Sequence, residues 1–303
     1  MNDLAILSVK NVTKTFKNHT VLDHVSLTID EPGIWALVGP NGVGKTTFLN
    51  VVTNILPATS GTVELMGRSN KDPAVFKQVS YLQDNRVLFE YLTGYDHLKY
   101  LADIHKLPKK RIVEVAEYVG MESYLKKAVG NYSLGMKQHL LLAMALINKP
   151  KLLLLDEPLT GLDPTSAILM RKIFLQLVEE GTTILLSSHH LAEIDRVTKQ
   201  IIFLKNGKLI EVDLNEHEKT YYHFFLSDPE SALRQFREQG FSADQIGEKI
   251  RIELQPGQLD EVLVLLKNEG LQILDIQKEV TGSEEMYEEI FAVRGSNNEN
   301  HSV

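Results

Sequence analysis

Two short stretches of this chain carry the residue types and spacing for phosphate chemistry. Residues 39–47 read Gly-Pro-Asn-Gly-Val-Gly-Lys-Thr-Thr. Gly39 and Gly44 frame a loop that Lys45 and Thr46 close, which is the spacing of a phosphate-binding loop. Glycine permits backbone angles that a Cβ forbids, so Gly39, Pro40, Asn41, Gly42, Val43 and Gly44 can wrap backbone N–H groups around an anion. Lys45 can then reach β- and γ-phosphates as a point charge. Thr46 can offer its hydroxyl to Mg²⁺, with Thr47 beside it in the first helical turn. A glycine-rich turn elsewhere could share these letters, but the flanks favour the phosphate reading. Ile34-Trp35-Ala36-Leu37-Val38 suits a buried strand. From Thr46 to Leu56 the apolar residues Phe48, Leu49, Val52, Ile55 and Leu56 fall on one helical face before Pro57. Strand, loop and helix together aim a helix N-terminus at a phosphate, so a nucleoside triphosphate is the expected ligand.

The second stretch is Leu152-Leu153-Leu154-Leu155-Asp156-Glu157. Four leucines read as a buried strand that delivers two carboxylates to its C-terminal edge, where open α/β sheets place their ligands. Asp156 suits the Mg²⁺-holding role and Glu157 the general base or water-positioning role beside a γ-phosphate. Ser187-Ser188-His189-His190 follows another apolar run, Thr182 to Leu186. The adjacent histidines are expected to diverge at a strand end, and no carboxylate cluster accompanies them, so a metal site is not read here.

These residues need a frame. Val25, Leu27 and Ile29 alternate with polar residues as strands do, and Val63, Leu65 and Val79 to Leu82 mark further strands. Helical patterns run from about Tyr95 to Leu125, broken near Pro108 and Gly120, then from near Ser133 to Asn148 and from Pro164 to Glu180. Ile201 to Val212 reads as a hairpin turning at Asn206-Gly207. Beyond it Asn215-Glu216-His217-Glu218-Lys219 looks like a linker. Strands at Tyr221–Leu226, Lys249–Leu254 and Leu271–Val280 then alternate with helices at Ser231–Gln239, Gln258–Asn268 and Glu284–Phe291, a small α+β pattern.

The bulk properties narrow the class. A chain of 303 residues accommodates about two domains. A net charge of −8 argues against nucleic acid as a partner, and the lack of cysteine excludes disulfides and Cys-based metal sites and suits a reducing cytoplasm. The opening residues lack the basic segment and long apolar core of a signal peptide. Leu140 to Ile147, the longest apolar run, is under half the roughly 18–20 residues that span a bilayer, so a membrane role would come through a partner.

Between the phosphate loop and the two carboxylates stands Tyr132-Ser133-Leu134-Gly135-Met136-Lys137-Gln138. Here the chain resembles the ATP-binding cassette family, in its bacterial ABC-2-type, bacitracin-resistance-like exporter branch. That family's signature loop usually reads Leu-Ser-Gly-Gly-Gln. Ser133 and Gly135 match its second and fourth positions, while Leu134 and Met136 depart from it. Taken alone, Ser133 is a helix N-cap. The resemblance implies roles for four further positions: Gln83 as the loop glutamine at Mg²⁺, Asp163 of Leu159-Thr160-Gly161-Leu162-Asp163-Pro164 as the D-loop residue at a dimer seam, His189 as the switch histidine at the γ-phosphate, and Phe16 as the aromatic that stacks on adenine. Taken singly, Asp163 before Pro164 is an ordinary N-cap and a lone phenylalanine is ordinarily core.

The resemblance covers about residues 4–212. It implies an α/β fold: a P-loop NTPase cassette with an antiparallel β subdomain, a mixed core sheet and a helical signature subdomain, to which the pattern after residue 213 adds a small C-terminal α+β domain. The expected divisions are a nucleotide-binding domain at 1–213, a linker at 214–220, an accessory domain at 221–294 and a disordered tail at 295–303. The implied protein is the ATP-hydrolysing subunit of an exporter, using ATP and Mg²⁺. Two copies, or one copy and a related subunit, would sandwich two ATP molecules, with Ser133, Gly135 and Asp163 acting across the seam. The subunit would sit peripherally on the inner face of the cell membrane, held by an integral permease. Leu88, Phe89 and Tyr91 either form the groove for a permease helix or pack inside the helical subdomain. A soluble cassette ATPase with an assembly or regulatory role is the competing class, and membrane association through a partner separates the two. A module that binds ATP without turnover is disfavoured by Glu157 and His189.

Overall fold

The computed structural model describes residues 5–83, 85–217, 219–255, 257–280 and 282–291. The chain divides into two compact units, Met1–Val212 and Asp213–Val303.

In the first unit the apolar runs become a six-stranded sheet in the order Lys208–Asp213, Gln200–Lys205, Ile34–Val38, Thr183–Ser188, Leu152–Asp156, Val79–Leu82. The last five strands are parallel neighbours, and the first closes the hairpin whose turn residues Asn206 and Gly207 both have positive φ, 50° and 74°. Leu152 to Leu155 are each 0% exposed, which explains a strand without polar alternation: both faces are covered. The parallel register decides where chemistry can occur. Val38 pairs with Ser188, Asp156 with Ser187, and Leu82 with Leu155. The residues that follow these strands therefore emerge together at one sheet edge.

A second, antiparallel sheet joins His19–Ile29, Leu7–Phe16, Ser60–Leu65 and Arg68–Ser69 in that order. Helices Gly94–Ile104, Lys110–Tyr118 and Leu134–Leu146 form the helical part. The first of these starts at a capping box, in which Thr93 Oγ1 accepts from Asp96 N at 3.1 Å and Asp96 Oδ2 accepts from Thr93 N at 3.0 Å. The helix after the phosphate loop is shorter than its periodicity suggests, spanning Lys45–Val52 rather than reaching Leu56. Asn54 turns left-handed at φ 56° and Leu56 N–H returns to Asn50 O at 3.0 Å, a stop that asparagine tolerates; Ile55 is left 53% exposed.

The second unit builds Thr220–Leu226, Ala243–Ile246, Lys249–Glu253 and Ile273–Val280 into an antiparallel sheet, the third strand beside the first and the fourth on its other side. Helices Pro229–Glu238 and Gln258–Asn268 complete a strand–helix–strand–strand–helix–strand order, the ferredoxin-like arrangement. Phe224, Phe236, Ile250, Ile252, Val262 and Leu266 are its fully buried core. Strand Ala243–Ile246 was not expected from sequence, because three of its four residues are exposed and carry no apolar pattern. Within the stretch read as a linker, Leu214–His217 form a helical turn with Leu214 buried. The tail at 295–303 lies outside the described residues.

Candidate active site

The phosphate loop leaves Val38 at the sheet edge. Gly39 must be glycine on packing grounds, since a Cβ there would sit 2.9 Å from the Leu204 carbonyl oxygen. Gly42 and Gly44 take φ of 81° and 116°, the left-handed region that a side chain disfavours. No side chain caps the helix that begins at Lys45, so its first amides are available to an anion. Pro40 and Asn41 form the exposed crown of the loop, and Val43 N–H returns to Pro40 O at 3.3 Å. Lys45 is only 6% exposed, and its ammonium folds over the loop, donating to Gly39 O at 2.7 Å and Pro40 O at 3.4 Å. Thr47 follows, half-buried.

The two carboxylates face this loop. Asp156 Oδ2 accepts from Thr46 Oγ1 at 2.7 Å and its Oδ1 from Ser187 Oγ at 2.5 Å. Glu157 turns left-handed at φ 51°, a conformation that needs support from its surroundings, and its N–H donates to Ser187 Oγ at 3.0 Å. The carboxylate Oε2 accepts from His189 Nδ1–H at 2.9 Å and from Thr160 Oγ1 at 3.0 Å. Oε1 lies 3.3 Å from Lys45 Nζ but is buried without an aligned hydrogen bond. Burial pushes the Glu157 carboxyl up, but the His189 hydrogen bond and the Lys45 charge outweigh it and hold the group below the usual carboxylate range. The site thus presents an ionised carboxylate between two cationic or hydrogen-bonding groups.

Gly39–Thr46, Asp156, Glu157 and His189 therefore converge as expected. The histidine pair does not diverge: the His189 and His190 rings lie 4.0 Å apart, because the chain leaves the strand at His190 for a short helix, Leu191–Ile194. Among the described residues no group of three acidic or histidine side chains assembles for a metal ion. Gln83 follows its strand to the same sheet edge by register, and lines a cavity of about 230 Å³ with His105, Leu141 and Asn148. Phe16, 41% exposed, ends its strand at the hairpin to His19, with Lys14 Nζ 4.8 Å above the ring. That hairpin reaches the loop through Val21, whose methyl would lie 2.7 Å from a Cβ on Gly44. A cavity of about 750 Å³ lies at the opposite end of the strands, beside Lys151 and Thr182, away from the carboxylates.

Ser133, Gly135 and Asp163 form a second cluster. Ser133 Oγ accepts from Met136 N at 3.2 Å. Asp163 caps helix Pro164–Glu179 through Thr165 N and Ser166 N, and the Ser166 hydroxyl at 2.7 Å holds its carboxyl below the usual range. A Cβ on Gly135 would stand 2.7 Å from Ser166 Oγ. Two residues escaped the sequence reading: Ser187, which ties Asp156 to Glu157, and Thr160, which binds the Glu157 carboxylate. Their only signal was position, a hydroxyl level with one motif and a hydroxyl three residues after another.

This geometry is that of a cassette ATPase, and the relatives agree. The model of the ABC transporter family matches residues 22–160. The bacitracin transport ATP-binding protein BcrA of Bacillus licheniformis is 32% identical over 298 residues, covering 94% of this chain and 96% of that protein. The lantibiotic transport ATP-binding protein SrtF of Streptococcus pyogenes is 35% identical over 207 residues, covering 68% and 89%. A solved structure of an ATP-binding subunit of an ABC transporter superposes with a TM-score of 0.64 at 26% identity, covering 86% of this chain and 99% of that one. The chain belongs to the ABC transporter family as an ATP-binding, ATP-hydrolysing subunit. No helix among the described residues is long and apolar enough to cross a membrane.

Proposed function

We propose that this subunit powers an ABC-2-type exporter by closing as a dimer on two ATP molecules. The observation that carries the hydrolytic half is the Glu157 carboxylate held between Lys45 and His189, with one buried oxygen lacking a hydrogen bond. When ATP enters, its γ-phosphate competes with that carboxylate for Lys45 and His189, and both turn to the phosphate. Glu157 is then the base for a water that attacks the γ-phosphorus; the proton passes to the carboxylate as the β–γ bridging bond breaks. Thr46 and Asp156 offer two oxygens 2.7 Å apart, and they suit a small hard cation that takes one or two protein ligands beside phosphates and waters. Mg²⁺ bound there would neutralise developing charge on the phosphates. Gln83 adds a further oxygen at the same edge, and Phe16 a ring for the adenine.

In this reading Ser133, Gly135 and Asp163 contact the ATP held by a second copy or a related subunit. They form a cluster separate from the loop, and among the described residues no hydrogen bond joins the two within one chain. Segment 87–91 is the docking surface for an integral membrane permease. Leu88 packs inward, whereas Val87, Phe89 and Tyr91 are 40%, 55% and 77% exposed beside the cavity that Gln83 lines. The subunit is then peripheral on the cytoplasmic face, and the names of the bacitracin and lantibiotic relatives favour a peptide-antibiotic cargo. Steady-state hydrolysis tests the catalytic core: Glu157→Gln should retain ATP binding and lose about 10²-fold or more in turnover, and undiminished turnover would refute the role of Glu157.

A further inference from the structure

The contacts of Glu157 are unequal in what ATP would do to them. Lys45 and His189 both face the phosphate site and would both be drawn to the γ-phosphate. Thr160 is different. Among the described residues its hydroxyl makes one hydrogen bond, to Glu157 Oε2 at 3.0 Å, and it stands three residues after the carboxylate on the loop that follows it. When the other two partners turn to phosphate, Thr160 is the donor left on that carboxylate. By engaging Oε2 it leaves the buried, unbonded Oε1 as the oxygen free to take a proton.

The loop that carries Thr160 is itself held. Gly161 is left-handed at φ 73°, and a Cβ on it would stand 2.7 Å from Leu134 Cδ2, so the leucine of the signature stretch lies directly against the loop backbone. Further along, Asp163 and Ser166 pack against Gly135. Thr160 N–H also returns to Glu157 O at 3.2 Å, closing the turn. The threonine hydroxyl is thus fixed relative to both the carboxylate and the signature helix.

We propose that Thr160 is a positioning residue for ATP hydrolysis: its hydroxyl holds Glu157 Oε2 so that Oε1 faces the attacking water while Lys45 and His189 serve the phosphate. The proposal rests on the reading that Glu157 activates that water. Leu134 supports it by setting the position of the loop, so the residue that departs from the usual signature sequence has a task in this chain. A hydrogen bond to an ionised group that orients a base contributes about tenfold or more to rate.

The test is steady-state ATP hydrolysis by the full chain with Thr160→Val, Thr160→Ser and Glu157→Gln side by side, each checked for a cooperative thermal unfolding transition above the assay temperature. The expected result is a fall in kcat of about tenfold for Thr160→Val, KM for ATP within about twofold, and recovery in Thr160→Ser, which keeps the hydroxyl. Wild-type kcat in Thr160→Val beside an inactive Glu157→Gln would overturn this proposal alone. A loss that Thr160→Ser does not restore would also overturn it, since the γ-methyl packing and not the hydroxyl would then matter. Wild-type turnover in Glu157→Gln would overturn the underlying reading of the base, and this proposal with it.

Discussion

At the scale of single residues, the site pairs its buried charges. Lys45 and Glu157 are both largely buried, and each offsets the cost of burying the other. Because the folded-state carboxyl of Glu157 is held below its ordinary value of 4.5, its ionised form contributes stability that is fully present above that value. That contribution is lost as pH falls through the lower folded-state value. Thermal unfolding of wild type and Glu157→Gln across pH 3–7 should therefore show the wild type gaining on the variant as pH rises, with the difference level above about 4.5. A difference that is constant throughout would mean the carboxylate has no net favourable partner.

At the scale of elements, the surface segment 87–91 divides its residues between two tasks. Leu88 fills the interior while Phe89, its ring 5.9 Å from Tyr91 and 6.1 Å from His97, stays outside. Phe89→Asp should leave basal hydrolysis unchanged and abolish its stimulation by the permease in reconstituted membranes; retained stimulation would move the docking surface elsewhere. This division was not legible in the sequence, since an apolar residue reads the same on either side of a fold boundary. The catalytic edge was far more legible. The phosphate loop, Leu152–Glu157 and the strand before His189 are contiguous motifs, and parallel register then brings their ends together. Thr160 and Ser187 are not legible because each is tied in through a hydroxyl whose partners are fixed only by the fold. The helix after the loop was overextended because Ile55 and Leu56 continued its apolar period, while the stop lay in the left-handed backbone of Asn54.

At the scale of the whole molecule, the proposed function makes the two clusters of one chain complementary halves of a composite site. One offers a cation, uncapped amides and the Glu157 carboxylate; the other offers Ser133 at a helix N-terminus with Gly135 and Asp163 beside it. A two-fold pairing of chains would set each half against the other, as isologous symmetry requires. ATP would then bridge the pair, and cleavage of its γ-phosphate would release it. The measurement that tests this most directly is size-exclusion chromatography of Glu157→Gln with and without Mg-ATP. The composite site predicts an ATP-dependent shift from monomer to a dimer that retains one ATP per chain. A protein that binds ATP and remains a monomer would contradict closure between two copies of this chain.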